Sequence, residues 1–260
     1  MFTWPEAKRG ALSLTFDDGL ESHREIALPM LEEQGFRATF YVNPVGNEDD
    51  PDLDGSWRDR LGRWREAAAF GHEIGNHSLL HPCSLNIDTE HEWGFGIPSL
   101  RDWDLERIRA DIQEAQRRIM VTFPHQVATS FAYPCYEPTV GTGSGRVSYV
   151  ALVAQEFVAA RANGELSGAL ANDPTVCDLH LLSSYPVYQR GELMIGLAEA
   201  ASARGCWSIF TFHGIDEGSL SVSGSALKEF LRHLARRRDQ FWVAPVAEIA
   251  DAVSGGRSRP

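Results

Sequence analysis

The run Ser13-Leu14-Thr15-Phe16-Asp17-Asp18-Gly19 is an apolar stretch that stops at two adjacent carboxylates. Successive side chains of a strand point to opposite faces, so both acids can serve one site only if the strand ends there and the chain turns. Gly19 permits that turn. Acids forced together repel, and a cation beside them removes the conflict. The same letters also fit an ordinary Asp-Asp-Gly surface turn, because Asp and Gly are both common turn residues.

A second group lies in Gly71-His72-Glu73-Ile74-Gly75-Asn76-His77-Ser78-Leu79-Leu80-His81-Pro82. His77 and His81, four residues apart, come to one side of a helical turn, close enough to share one metal ion. Pro82 disfavours helical geometry at His81, which predicts a loop with a single turn. Histidines at this spacing are also frequent on polar surfaces; following a strand-end carboxylate gives them more weight. Two imidazoles and one carboxylate form a hydrolytic zinc ligand set that leaves a position open for water. Ser208-Ile209-Phe210-Thr211-Phe212-His213-Gly214 ends another apolar strand in a histidine able to act as acid or base near neutral pH, or simply to sit at a rim. Ser130-Phe131-Ala132-Tyr133-Pro134-Cys135-Tyr136 is an aromatic strand end that either lines a pocket or packs.

Elements must bring these groups together. Apolar runs predict strands over 11–16, 37–42, 126–133, 156–161, 179–183, 208–212 and 241–245, and helical spacing predicts helices over 21–34, 57–70, 105–122, 192–204, 225–237 and 246–253. In the third helix Leu105, Ile108, Ile112, Ala115 and Ile119 keep the three-four spacing of a half-buried helix, and Asp104 is placed to cap it. Alternation of strand and helix predicts an α/β fold with a parallel sheet, open or closed into a barrel. No linker divides the chain, so residues 1–260 are expected to form one domain. Two long insertions, 44–60 with Glu48, Asp49, Asp50, Asp52, Asp54 and Asp59, and 86–104 with Trp93 and Trp103, are expected at the carboxyl ends of the strands, at the mouth of a site.

Composition narrows the partners. The 260 residues are 43% hydrophobic and 23% charged, enough to bury a core. Lys plus Arg is 24 against 36 for Asp plus Glu, a net charge of −12, which disfavours nucleic acid and anionic membrane surfaces. No apolar stretch approaches the roughly 18 residues that span a bilayer, and Met1 is followed by no apolar leader, so a cytoplasmic chain is expected, or a secreted one if a leader was trimmed. Cys83, Cys135, Cys177 and Cys206 form no Cys-x-x-Cys pair and are expected as free thiols; the alternative is that Cys83 and Cys135, each following the proline of a site motif, approach one another near the metal.

Taken together, Thr15-Phe16-Asp17-Asp18-Gly19, His77-Ser78-x-x-His81-Pro82, Phe131-Ala132-Tyr133-Pro134 and Phe212-His213-Gly214 resemble carbohydrate esterase family four, the polysaccharide deacetylases or NodB homology domain, from about Gly10 to Val246. The resemblance implies a distorted (β/α)7-type barrel that hydrolyses an N- or O-acetyl group of a carbohydrate with a divalent metal. Zinc fits best; cobalt, nickel or manganese could use the same ligands. It implies Asp18, His77 and His81 as ligands, Asp17 as the general base, His213 as the general acid, and the Cys135 N–H, beside Tyr133, as the donor to the developing oxyanion. Many members carry in the third motif an arginine that orients the catalytic Asp. Here that position is Ala132, and Arg161, at the end of Phe157-Val158-Ala159-Ala160, is the candidate replacement, a solvent-facing strand end being the plain alternative. Cys135-Tyr136 stands where Tyr-Gly is usual, and the expected Asp and Trp of a fourth motif are not evident in Asp173 or Trp207. Two rivals stay open: a relative acting on a small non-carbohydrate amide, such as a ureide or acetylpolyamine, which the altered third motif and the apparent lack of an export signal suggest, and an inactive sugar-binding barrel, against which Asp17 and His213 speak. The acidic 44–60 insertion predicts a preference for neutral over polyanionic glycans; the oligomeric state is not legible.

Overall fold

The computed structural model describes residues 2–45, 56–84, 98–162, 171–188 and 193–257. Along the chain the strands are β1 (Gly10–Phe16), β2 (Thr39–Val42), β3 (Glu73–Asn76), β4 (Ser130–Ala132), β5 (Thr139–Val140), β6 (Val147–Ser148), β7 (Ala159–Arg161), β8 (Tyr185–Val187), β9 (Trp207–Phe212) and β10 (Phe241–Val243). The helices are α1 (Leu28–Gln34), α2 (Trp57–Gly62), α3 (Arg65–Ala69), α4 (Leu105–Thr122), α5 (Val150–Glu156), α6 (Leu193–Ala203), α7 (Gly224–Arg236) and α8 (Val246–Arg257).

All but β5 and β6 join one parallel sheet in the order β7-β4-β3-β2-β1-β9-β8, with β10 beside the first half of β1 and β2 beside its last residues. The segment 179–187 curls the sheet toward closure. Leu182 exchanges hydrogen bonds with Ala160 and Ala162 at the β7 edge, while Tyr185–Val187 pairs with β9. The result is a distorted, mostly parallel α/β barrel.

Strand parity sorts the side chains. On β1, Leu12, Leu14 and Phe16 face outward into an apolar cluster shared with α1, α6 and α7. Phe16 stacks on Phe40 and Phe212 at 5.1 and 5.0 Å, an aromatic row across three neighbouring strands just below their carboxyl ends. Such a row fixes register, because slipping one strand by a residue would turn its ring inward. Facing inward, Ala11, Trp207, Ile209 and Ala159 are sealed from below by Trp4 and α8, making an apolar floor. Above it the interior is polar. Ser13, Thr15, Thr39, Tyr41, Glu73, Ser130 and Thr211 are all buried there. Glu73 ties the layer together by accepting from Thr39 Oγ1, Ser130 N, Ser130 Oγ and Ala247 N.

Several expected elements shift. The 57–70 helix breaks into α2 and α3 where Trp64 turns into the core, and the 21–34 helix opens with a π-helical turn over His23–Ala27. The 126–133 strand begins only at Ser130. Gln126 instead uses its side-chain amide as a substitute strand, accepting from Ile74 N at 2.8 Å and donating to Ile74 O at 2.9 Å. Residues 150–156, left unassigned by periodicity, form α5, and the 156–161 strand shortens to β7. The 179–183 strand is replaced by a single bridge at Leu182, the regular strand lying further on at β8. Helix α4 keeps its expected bounds, and Asp104 caps it by accepting from Arg107 N at 2.8 Å.

Candidate active site

The inner-face residues one step beyond β1, β3 and β9 are Asp17, His77 and His213, and β7 contributes Arg161 from its last position. Parity therefore brings four of the singled-out residues to one end of the barrel. Asp17 continues the ladder, its N–H donating to Phe212 O at 2.9 Å. The chain then turns at two consecutive left-handed residues, Asp18 with φ 75° and Gly19 with φ 63°. Asp tolerates that conformation better than most side chains, and the turn swings Asp18 back beside Asp17.

Ligand atoms of Asp18, His77 and His81 all lie within 4.8 Å of one another. Asp18 Oδ1 is 3.5 Å from His77 Nε2 and 3.6 Å from His81 Nε2. His77 donates from Nδ1 to Ala132 O at 2.8 Å, which leaves the Nε2 lone pair facing the cluster. Between the two histidines the loop is held by Asp111 of α4, whose carboxylate accepts from Leu79 N and Leu80 N at 2.9 and 3.0 Å, and by Ser78 Oγ, which accepts from His81 N at 3.0 Å. His81 adopts φ 48°, away from the right-handed helical region as Pro82 predicts.

Arg161 is fully buried. Its Nη2 pairs with Asp17 Oδ2, and its Nη1 donates to Thr211 Oγ1 at 2.9 Å and lies 3.4 Å from Ser184 Oγ. The rings of Tyr41 and Tyr136 lie against the guanidinium at 5.2 and 5.5 Å. Ala132 and Arg161 are register partners across the β4–β7 ladder. The guanidinium thus enters at the same level as the third-motif alanine, from the next strand. His213 Nε2 is 4.0 Å from both Asp17 Oδ2 and Asp18 Oδ2, and its carbonyl accepts from His23 Nε2.

Burial raises the Asp17 carboxyl, but Arg161, aided by His77 and His213, outweighs it and holds the group below the usual carboxylate range. In Asp18 burial wins over the pull of His213 and His77, and its carboxyl is pushed up. Burial also drives His77 and His81 down to about 4, so both imidazoles are neutral lone-pair donors at neutral pH.

Two expectations do not hold: the place of Tyr133, and the free thiol of Cys135. Tyr133 shares the outward parity of Phe131; its ring packs on Phe131 and Tyr149 in the core, and its hydroxyl donates to His180 O at 3.0 Å. That parity was available in the sequence. Cys135 is not a free thiol: it forms a disulfide with Cys83, their Cα atoms 5.7 Å apart. The two prolines end loops that rise side by side from adjacent strands β3 and β4, which brings the following cysteines within bonding reach. Cys177 and Cys206 remain free. Trp207 is core, donating from Nε1 to Ser13 Oγ, and Asp173 lies on an exposed turn with Thr175, so neither reaches the site. Residues not foreseen are Tyr41, Thr211 and Ser184 around Arg161 and Asp111 behind the histidine loop; inward parity with Asn43 and His213 would have flagged Tyr41 and Thr211.

A cavity of about 270 Å³ opens beside Asp18, with Arg24, Arg60, Arg63 and Trp64 in its wall. Glu48, Asp49, Asp50, Asp52, Asp54 and Trp93, expected at the mouth, lie outside the described residues.

The family model described as polysaccharide deacetylase matches residues 5–142. A gellan lyase from a Bacillus species is 27% identical over 159 residues, 61% of this chain; the chain spans 5% of that protein's length. Among solved structures, a protein from Mycobacterium smegmatis described as a polysaccharide deacetylase superposes with TM-score 0.65 at 18% identity, covering 99% of this chain and 94% of the other. The peptidoglycan deacetylase PdaC from Bacillus subtilis gives 0.53 at 15% identity, covering 95% and 93%. A family 4 acetyl xylan esterase from Clostridium thermocellum, solved with a cobalt ion, gives 0.53 at 17%, covering 94% and 92%. At these identities the structural likeness speaks for the fold, and the family match covers more than half of the sequence: the chain belongs to the polysaccharide deacetylase family.

Proposed function

We propose that this protein is a metal-dependent deacetylase that removes N- or O-linked acetyl groups from a carbohydrate. The observation that carries the reading is the convergence of Asp18, His77 and His81 beside an Asp17 that Arg161 holds ionised. The donor set fits a divalent cation. Asp18 Oδ1 is buried without a hydrogen-bond partner among the described residues, facing two neutral imidazoles. Three lone-pair donors turned toward one another repel unless a cation lies between them. One carboxylate and two histidines suit zinc, with cobalt, nickel or manganese as alternatives. When bound, such an ion makes water acidic enough to attack at neutral pH and polarises the acetyl carbonyl.

The chain's own groups supply the rest. Asp17, ionised and oriented by Arg161, accepts the proton of the attacking water at its free oxygen, Oδ1, which makes no other hydrogen bond among the described residues. The Cys135 N–H is assigned to the developing oxyanion. His213 Nε2, on the opposite side of the acid pair from β3, delivers a proton to the leaving amine or alcohol. The relatives include proteins named for peptidoglycan and acetyl xylan, which supports an acetylated glycan here. The presence of Asp17 and His213, with Arg161 paired to Asp17, supports a catalytic over an inactive barrel.

Acetate release from chitooligosaccharides, acetylxylan and an acetylpolyamine by metal-loaded and metal-stripped protein tests the reading. We expect release from an acetylated carbohydrate, abolished by stripping and restored by zinc or cobalt. Release from the polyamine alone, or unchanged rates after stripping, would contradict it.

A further inference from the structure

We propose that the Cys83–Cys135 disulfide is a positioning element of the reaction: it holds the Pro134–Tyr136 turn so that Tyr136 stays against Arg161 and the Cys135 N–H stays toward the reacting carbonyl. The inference rests on the deacetylase reading above. In that turn Cys135 and Tyr136 adopt φ 49° and 60° in succession. Left-handed backbone costs non-glycine residues on the order of 1–2 kcal/mol each, so such a pair persists only where its surroundings dictate it. The turn's own bonds, Tyr136 N to Tyr133 O and Glu137 N to Pro134 O, close within three residues and do not tie the turn to the rest of the barrel. The disulfide is the covalent long-range tie, joining residues 52 apart in sequence; beyond it the turn is held only at its far end, where Glu137 accepts from Ser84 N at 3.2 Å and from the Tyr149 hydroxyl at 2.6 Å among the described residues.

Its two ends do not depend on it equally. On the Cys83 side, the loop bearing His81 is fixed by Asp111 and Ser78 whether or not the sulfurs are joined. On the Cys135 side, Tyr136 forms one wall of the Arg161 pocket. The opposite wall, Tyr41, is anchored independently by its strand and by Ser130 Oγ at 2.7 Å from its hydroxyl. Opening the disulfide therefore frees Tyr136 and the Cys135 N–H while leaving the three ligand side chains in place. Arg161, losing a wall, orients Asp17 less well.

The test compares wild type with Cys83→Ala/Cys135→Ala and with Tyr136→Ala, which keeps the disulfide. The readouts are kcat, KM, bound zinc and amide hydrogen exchange. In the double variant kcat should fall about tenfold or more, as small displacements at a reacting centre do, while KM shifts by less than about threefold. One zinc per chain should be retained, and exchange should rise about tenfold over 134–137 but not over 77–81. Tyr136→Ala should reproduce the fall in kcat. If the double variant does not fold, wild type held reduced by a phosphine gives the same comparison. A lower melting temperature with unchanged kcat, parallel loss of zinc, or unchanged exchange over 134–137 overturns the proposal. If wild type releases no acetate from any carbohydrate, the deacetylase reading fails, and exchange alone decides whether the disulfide holds the turn.

Discussion

Arg161 and Asp17 are a buried ion pair, and such a pair is retained against its desolvation cost only when the geometry is good and the remaining donors are used. Here the guanidinium meets that condition at two of its nitrogens, Nη2 on Asp17 and Nη1 on Thr211 between two aromatic faces, while Nε is buried without a hydrogen-bond partner among the described residues. An ammonium is a point charge without the planar fork that aims one N–H at each of these two partners. Arg161→Lys is expected to lower kcat on the order of 10- to 100-fold, the usual cost of losing a supporting contact to a reacting group. Arg161→Ala leaves Asp17 buried without its partner and should cost about 3–5 kcal/mol of stability. Steady-state kinetics and denaturant unfolding of the two variants check this; wild-type kcat in Arg161→Lys would contradict the orienting role.

At the scale of elements, the site is made by parity, and parity needs room inside the barrel. Gly75 supplies it for Tyr41: a Cβ there would lie 2.5 Å from the Tyr41 ring, whose face supports Arg161. Gly75→Ala should destabilise by about 1–3 kcal/mol through overpacking and lower kcat by displacing that ring; an unchanged unfolding midpoint would contradict it. The same parity explains what the sequence disclosed. β1 and β9 were legible because their outer faces carry Leu12, Leu14, Phe16, Phe210 and Phe212, and α4 because Ile108, Ile112 and Ile119 mark one helical face. β3 was not: on its inner face Glu73 serves the interior hydrogen-bond layer and Gly75 makes room for Tyr41, and on its outer face Asn76 donates to Ile112 O of α4, which leaves Ile74 the one large apolar residue of the strand. The segment 179–187 was misplaced because its pairing changes partner midway, from β7 at Leu182 to β9 at Tyr185. Tyr133 lies within a site motif but shares the outward face of Phe131, which takes its ring into the core. For the disulfide the sequence holds one hint, a site-motif proline before each of Cys83 and Cys135, and no Cys-x-x-Cys spacing to go with it; the fold brings the two loops together.

For the whole molecule, among the described residues no helix is long and apolar enough to cross a membrane. A disulfide persists where thiols are oxidised, so the expectation of reduced cysteines does not hold for Cys83 and Cys135. Stability should respond to pH through buried imidazoles. His23, His77 and His81 are each driven to about 4 by burial, against 6.5 in the unfolded chain. The unfolded state therefore takes up protons first as pH falls. Stability is full above about pH 6.5 and is lost between there and pH 4, on the order of 3 kcal/mol for each imidazole that stays neutral. Metal-stripped protein should melt well below its pH 7.5 temperature when measured at pH 5; equal melting temperatures would contradict this. The central claim is that Asp17 moves the proton while Asp18, His77 and His81 hold the ion, and Asp17→Asn separates the two. Acetate release by that variant, measured with its zinc content, is predicted to fall on the order of 10²- to 10⁴-fold with one zinc per chain retained; wild-type acetate release, or loss of the zinc together with activity, would contradict the account.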